Sequence, residues 1–332
     1  MTEQLKSNMA IALSPELKSN PSVNIVLVYV GSLPNYFPLF LRSCASNPSF
    51  NWTLATTNAL EFDLPTNVRR VSFDLEDLRD RVAEKLNITP DVRWPYKICD
   101  FRPAFGFLFP EWFRGYDFWG HCDADMVFGD LRRFFPGGLF ESSLKIQMRG
   151  ALGFYKNDEI GNALFRMPHP TINYREVFSN YKYCGFDEWE GIFKLMRLNG
   201  VGFSLSNDLA EIDVARYDLR LNHRTNHAKQ LFTWENGRIL RTAWVGGQEV
   251  HDEYSYIHLQ KRQISRFDVA GHCAFAFLPG QIVSFRDQAE KMALAGQNRR
   301  SRVWEMQFHA GRVSRYLRSL GLVDRRYWRL RE

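Results

Sequence analysis

The sequence predicts an α/β fold, a mainly parallel mixed sheet flanked by helices, on three observations. Short apolar runs rich in β-branched residues recur through the first half and end at Gly, Pro or Asn. Stretches with apolar residues three and four apart separate them, the alternation expected of βαβ units. Finally, 332 residues of ordinary globular composition, 45% hydrophobic and 24% charged, suffice for one large core and exclude a disordered or fibrous chain.

The elements follow in order. After a polar leader over residues 1–23, NIVLVYVG (24–31) is an apolar, β-branched run closed by Gly31, a buried strand that opens the sheet. PNYFPLFLRSCASNP (34–48) reads as a helix stopped by Pro48, FNWTLATTN (50–58) as a second strand and VRRVSFD (68–74) as a third. LEDLRDRVAEKLNI (75–88) places Leu75, Leu78, Val82 and Leu86 on one helical face. KICDFRPAFGFLFPEWF (97–113) is helical or turn-rich, and YDFWGHCDADMVFG (116–129) is extended and acidic. Beyond it, LKIQMRGALGFYKN (144–157) offers two short strands, and YCGFDEWEGIFKLMRLNG (183–200) a helix ended by Gly200. FTWENGRILRTAW (232–244) is a hairpin turning at Asn236-Gly237, and EYSYIHLQKR (253–262) a late strand. No linker or repeat divides residues 24–267, which therefore read as one catalytic domain.

Residues 268–332 read as a basic helical extension. From Asn298 arginines alternate with Val, Trp, Phe, Tyr and Leu at helical spacing, within a chain of net charge +6. That pattern suits a solvated helix or a patch that meets anionic lipid headgroups. No nucleic-acid-binding motif accompanies the charge, so nucleic acid is not an expected partner. Cys44, Cys99, Cys122, Cys184 and Cys273 are odd in number and scattered, which argues against a disulfide framework and fits a reducing cytosol. No apolar stretch approaches the length of a membrane span, so membrane contact would be peripheral, at the inner face of the cell membrane.

The chemistry centres on Asp123 and Asp125. Side chains two apart on a strand share a face, so two carboxylates converge while Ala124 points inward. Such a pair repels unless a cation or a proton lies between, and hard divalent ions take oxygen ligands together with phosphate. An Asp-x-Asp triplet is a weak signal by itself. In the second half, Asp187 and Glu188 of GFDEWE are the acidic pair best placed to supply a general base. Asp187 with Glu190 also matches a helix capping box, which leaves Glu188 as the freer carboxylate. Tyr29, Val30 and Gly31 end the first strand, and Gly31 suits a plain turn. Thr57 and Asn58 suit an Asx-type turn. RGALGFYKN, with Gly150, Gly153 and Asn157, would turn a tight hairpin.

KICDFRPAFGFLF followed by GYDFWGHCDADMVFGDL resembles bacterial glycosyltransferases of capsule and surface-polysaccharide loci, which have a GT-A-like nucleotide-diphospho-sugar transferase core. The resemblance runs through YVGSLPNYFPLFLRSCASNP, GFDE and YIHLQKR, over residues 24–262. It implies a nucleotide-sugar donor, UDP-linked, and a saccharide or lipid-linked glycan acceptor. Asp123 would approach the ribose or sugar of the donor, Asp125 would ligate Mn²⁺ or Mg²⁺, and His258 would be a third ligand. By the same resemblance Tyr29, Val30 and Gly31 would meet base and ribose, Thr57 and Asn58 would contact the base, and Gly150, Gly153 and Asn157 would line the sugar pocket. Lys97, Asp100 and Arg102 match a KxxDxxP run, which makes Lys97 a phosphate or sugar contact, and Lys261 and Arg262 would add positive charge.

Two other classes compete. DADMV also fits a haloacid-dehalogenase-like phosphohydrolase, with Asp123 as nucleophile, Asp125 as acid and base, and Lys156, Asp208 and Glu211 as helpers. Its place after several βα units argues against that. The other is a non-catalytic glycan-binding protein that keeps a degenerate transferase fold and stacks sugars on its aromatics, 15% of the chain.

Overall fold

The computed structural model describes residues 20–60, 63–222, 224–260, 262–269 and 273–319, as backbone alone at 148–149 and 312–319. Within them the chain is α/β, with three sheets that mix strand directions and helices that flank them.

The first strand, β1 (Val23–Val28), distributes alternate side chains to two cores. Val26 packs with Phe73, Val82 and Phe101 on one face, while Ile25 and Leu27 pack with Phe37, Phe40 and Trp52 on the other. A strand covered on both faces needs mostly apolar residues, hence VNIVLV, and its buried Asn24 donates to Thr53 Oγ1 at 2.9 Å and to the Trp112 carbonyl at 2.8 Å. The helix α1 (Phe37–Ala45) carries Pro38 in its first turn, where a missing N–H costs nothing, and buries Phe37, Phe40, Leu41 and Cys44. The strands β2 (Asn51–Ala55) and β3 (Val68–Val71) follow, then α2 (Leu75–Leu86). In α2 the Asp74 carboxylate accepts from the Glu76 and Asp77 amides and Asp77 returns the bond, so the helix starts where sequence periodicity expects it. Leu78, Val82 and Leu86 are its buried face.

The large sheet also contains β4 (Phe118–Cys122), β6 (Lys145–Arg149), β7 (Leu152–Lys156) and β8 (Phe203–Ser204), in the order β3-β2-β1-β4-β7-β6-β8. β1, β2, β3 and β4 are parallel, whereas β7 runs antiparallel to both β4 and β6. Strand order reverses at β1, whose later neighbours β2 and β3 lie to one side and β4 to the other. The crevice outside the carboxyl ends of β1 and β4 is the switch point where open α/β sheets bind ligands.

β5 (Met126–Phe128) leaves the large sheet and joins β9 (Ala210–Glu211) and β13 (Tyr256–His258) in a three-stranded sheet of order β5-β13-β9. The extended run 116–129 is thus not one strand. It breaks at Asp123–Asp125, because its two halves pair with different sheets. The third sheet comprises β10 (Gln230–Glu235), β11 (Arg238–Val245), β12 (Gln248–Tyr254), β14 (Arg266–Asp268), β15 (Ala274–Leu278) and β16 (Gln281–Ser284). Its order is β12-β11-β10-β15-β16-β14, antiparallel except for β14 with β16. The hairpin at Asn236-Gly237 is present, and both turn residues have positive φ, 51° and 83°. Phe232, Trp234 and Phe275 pack this sheet against Val127 and Ile257 of the three-stranded one.

The segment after residue 267, expected to be helical, therefore begins by completing a sheet. Among the described residues of this segment, helix appears only at Gln288–Ala295 and Arg302–Ser319. Among the described residues no helix is long and apolar enough to cross a membrane.

Candidate functional site

The three-stranded sheet builds the site. His258 on β13 stands opposite Met126 on β5 and Glu211 on β9, so one register brings the residue after Asp125 into line with an imidazole and a third carboxylate. The Leu259 amide donates to the Asp125 carbonyl at 2.9 Å, and the Asp123 amide donates to the Ala151 carbonyl at 2.9 Å, which pins both ends of the turn. Ala124 is buried in the apolar cluster beneath, so the two carboxylates point away from it and meet at the cleft.

His258 Nε2 lies 3.1 Å from Asp125 Oδ1 and 3.8 Å from Asp123 Oδ2. Its Nδ1 lies 2.8 Å from Glu211 Oε2. Glu211 is held in turn by the Tyr256 hydroxyl at 2.8 Å and the Gln260 amide at 2.9 Å. Donor atoms of Asp123, Asp125 and His258 all fall within 4.8 Å of one another, so this triad can hold a metal ion. A carboxylate behind the ligating imidazole is the arrangement that orients a histidine ligand and raises its basicity. Burial disfavours a charged ring at His258, but Asp125 and Glu211 outweigh it and hold its proton affinity well above the usual histidine range.

Arg102 closes the other side. Its Nη2 donates to Asp123 Oδ1, and its Nη1 donates to the Gly150 carbonyl at 2.6 Å and to Asp187 Oδ2 at 3.1 Å. Asp123 thus has a neutralising cation, invisible to a local reading because it lies 21 positions upstream. Gly150 lies against both acids, since a Cβ there would come within 2.7 Å of Glu188 Oε1 and 2.8 Å of Asp187 Oδ2 and would displace them.

The structure brings some expected residues together and removes others. Tyr29 lines the cleft, and burial, then Asp125, raises its phenol pKa. Glu188 also lines it, its carboxyl raised by burial against the opposing pull of Arg102. Asp187 lies beneath the wall, where burial raises it in the same way. It does not cap a helix: the next helix, Ile192–Leu198, starts at Gly191 without a side-chain cap. Lys97 does not reach the cleft. Its fully buried ammonium donates to Asp100 at 2.8 Å, to the Val177 carbonyl at 2.8 Å and to the Lys182 carbonyl at 2.7 Å, so a donor contact from Lys97 is ruled out by geometry.

Gly31 has φ of 121° and its carbonyl accepts from the Asn58 amide at 2.7 Å, which makes both residues loop braces. Asn58 also donates to Thr56 Oγ1 at 2.8 Å, and Thr57 is exposed beside it. Lys261 lies outside the described residues. Arg262 lines the cleft with its guanidinium committed to the carbonyls of Asp213, Arg216 and Tyr217. The phosphohydrolase helpers do not assemble. Lys156 stands opposite Phe118 at the start of β4, about 13 Å from that strand's end at ~3.3 Å per residue. Glu211 serves His258 instead.

Reasoning from sequence missed Glu211 as the histidine's partner, and the aromatic wall of Tyr96, Tyr183 and Trp189. The cleft has a volume of about 1190 Å³.

Fold and site together define an α/β protein with a candidate metal-binding triad at a sheet switch point. Residues 25–286 match a family of unknown function (DUF6625), and the chain belongs to that family. No curated protein matches it. Among solved structures it is weakly similar to the glycosyltransferase GlyE of Streptococcus pneumoniae TIGR4, at 11% identity and a TM-score of 0.25. That match covers 57% of this chain and 46% of that one.

Proposed function

We propose that this protein is a metal-assisted glycosyltransferase with a GT-A-like core. It moves a sugar from a nucleoside-diphosphate donor, UDP-linked, to a saccharide or lipid-linked glycan. The observation that carries the reading is the position of Asp123, Asp125 and His258 at the carboxyl ends of β1 and β4, facing an open cleft. Two carboxylates and an imidazole suit Mn²⁺ better than Mg²⁺, since a nitrogen donor favours the first-row transition ion. A divalent cation held there supplies positive charge against the diphosphate as the sugar–phosphate bond breaks.

The chain's own groups do the rest. Glu211 fixes the His258 ring so that Nε2 faces the diphosphate site. Arg102 holds Asp123, and Asp187 holds Arg102, so Asp187 is a positioning residue and not the base. Tyr29 and Val30 form the nucleoside flank. Glu188 accepts the acceptor hydroxyl proton as that oxygen bonds to the anomeric carbon and the diphosphate leaves with its electron pair. A carboxylate raised by burial is a stronger base than one in water.

The free thiols support a cytoplasmic protein. The helix Arg302–Ser319, which exposes Val303 and Met306 beside arginines, supports peripheral contact with an anionic membrane.

The test is incubation with Mn²⁺ and a panel of nucleotide sugars, with assay of released nucleoside diphosphate and inorganic phosphate. Metal-dependent release of the diphosphate from one donor is expected. Phosphate release from phosphomonoesters without nucleotide-sugar turnover would sink the reading, and sugar binding without any turnover would point to a glycan-binding protein.

A further inference from the structure

The cleft is larger than one ligand needs. Its volume of about 1190 Å³ exceeds the ~300–1,000 Å³ usual for a small-molecule site, and its two flanks differ in chemistry. On the β1 flank, burial raises the phenols of Tyr29 and Tyr36, and the carboxylate adding to it is Asp125. On the other flank, burial raises Tyr96 and Tyr183, and the carboxylates adding to it include Asp187 and Glu188. The cleft thus carries aromatic residues from two stretches of chain, Tyr29 and Tyr36 after β1, and Tyr96 with Tyr183 and Trp189.

The second flank is built as a rigid platform. Tyr96 packs on Tyr183 at 4.8 Å and on Trp94 at 5.5 Å between ring centroids, and the Trp94 indole donates to the Tyr181 carbonyl at 3.0 Å. Trp189 packs edge-on against Phe193 at 4.5 Å, and Phe193 against Phe203 at 5.3 Å. Despite this support, Tyr96 keeps 37% of its surface exposed and Trp189 keeps 39%, and both line the cleft beside Glu188. Large aromatics left open in a deep cleft cost hydrophobic burial, and the ligand that recovers it has apolar C–H faces and hydroxyls together.

We propose that Trp189 and Tyr96 form the acceptor subsite, on which a pyranose ring of the acceptor glycoside stacks with one hydroxyl directed to Glu188. This rests on the glycosyltransferase reading of the same cleft, and it assigns the β1 flank to the nucleoside and the Trp189 flank to the acceptor. A free saccharide suffices for recognition, because the platform needs neither the metal nor the nucleotide.

The experiment titrates the full-length chain with methyl glycosides of glucose, galactose, mannose and N-acetylglucosamine, followed by saturation-transfer NMR. In parallel, UDP with Mn²⁺ is titrated by calorimetry. At least one glycoside should bind the wild type, Trp189→Ala should weaken it at least about tenfold, equivalent to ~1.4 kcal/mol, and Trp189→Phe should recover part of the loss. UDP affinity should not change in either variant. Glycoside binding that ignores Trp189→Ala, or no glycoside binding alongside normal UDP binding, overturns the subsite. Absence of UDP binding with Trp189-dependent glycoside binding instead overturns the transferase reading and leaves the platform standing.

Discussion

His121 and Asp123 stand two residues apart at the end of β4, yet their surroundings are opposites. Asp123 opens on the cleft with Arg102 bonded to it and His258 Nε2 at 3.8 Å. His121 is buried beside the Gly150 backbone, and neither ring nitrogen has a side-chain hydrogen-bond partner. The same holds for the Lys145 ammonium and the Tyr155 hydroxyl, although the ammonium sits over the Tyr155 ring at 4.0 Å. A Cβ on Gly153 would come within 2.9 Å of His121 Nε2 and 3.0 Å of Lys145 Nζ, so the imidazole and the ammonium meet at one glycine. Burial, then Arg102 and Lys145, drives His121 well below the usual histidine range, and burial lowers Lys145 to about 7. Around the triad buried charges bond directly to opposite ones, whereas at His121, Lys145 and Tyr155 no side chain does so, and Asp187 acts on Lys145 without a hydrogen bond. The first arrangement is poised to take a cation, and the second is a reservoir of instability that the large aromatic core offsets.

The largest expected effect is at the clamp joining the regions. Arg102→Met leaves Asp123 and Asp187 without their cation, and chemical denaturation should show a loss of about 3–5 kcal/mol. A loss below about 1 kcal/mol would mean that the acids are satisfied some other way. Next in size, Glu211→Gln keeps the shape behind His258 but removes the charge, and should weaken Mn²⁺ binding by about 10- to 100-fold at alkaline pH. Because His258 binds its proton more tightly than an ordinary histidine, the wild-type affinity for Mn²⁺ should rise with pH above the usual histidine range. Glu211→Gln should flatten that rise.

The smallest effect runs the other way. Lys145→Met should stabilise the protein by about 1–3 kcal/mol near neutral pH, since it removes a buried ammonium without a hydrogen-bond acceptor. The sign follows from the lowered pKa. Between about 7 in the folded chain and 10.5 in the unfolded one, the unfolded state binds more protons, so wild-type stability climbs with pH there. The variant's advantage is therefore full below pH 7 and should vanish toward 10.5. Melting curves across that window check it, and a constant advantage would show that packing alone is at work.

Local patterns were legible wherever one short stretch determined the outcome. β1, α1, β2 and α2 follow from β-branched runs, a first-turn proline and a capping box, all written within a few residues. Asp123, Asp125 and His258 were found by spacing and family resemblance, but the reason that they meet was not. Asp125 and His258 are 133 positions apart and are joined by a sheet that begins only after β4 ends. Lys97 misled because a lysine is expected in water, whereas three oxygens from distant turns enclose this one. Asp187 misled because a capping spacing is local, and its actual partner, Arg102, is 85 positions away. The third sheet escaped beyond its first hairpin because short strands such as β14 carry too few residues to show alternation.

The central claim is that Asp125 and His258 hold one divalent ion against a nucleoside diphosphate. Pulsed electron-spin-echo spectroscopy of Mn²⁺ bound with UDP reads this directly. The account predicts imidazole nitrogen and phosphorus couplings on the same ion, both lost in Asp125→Ala while circular dichroism and melting temperature are kept. Phosphorus coupling without nitrogen, or an unchanged spectrum in Asp125→Ala, would contradict it.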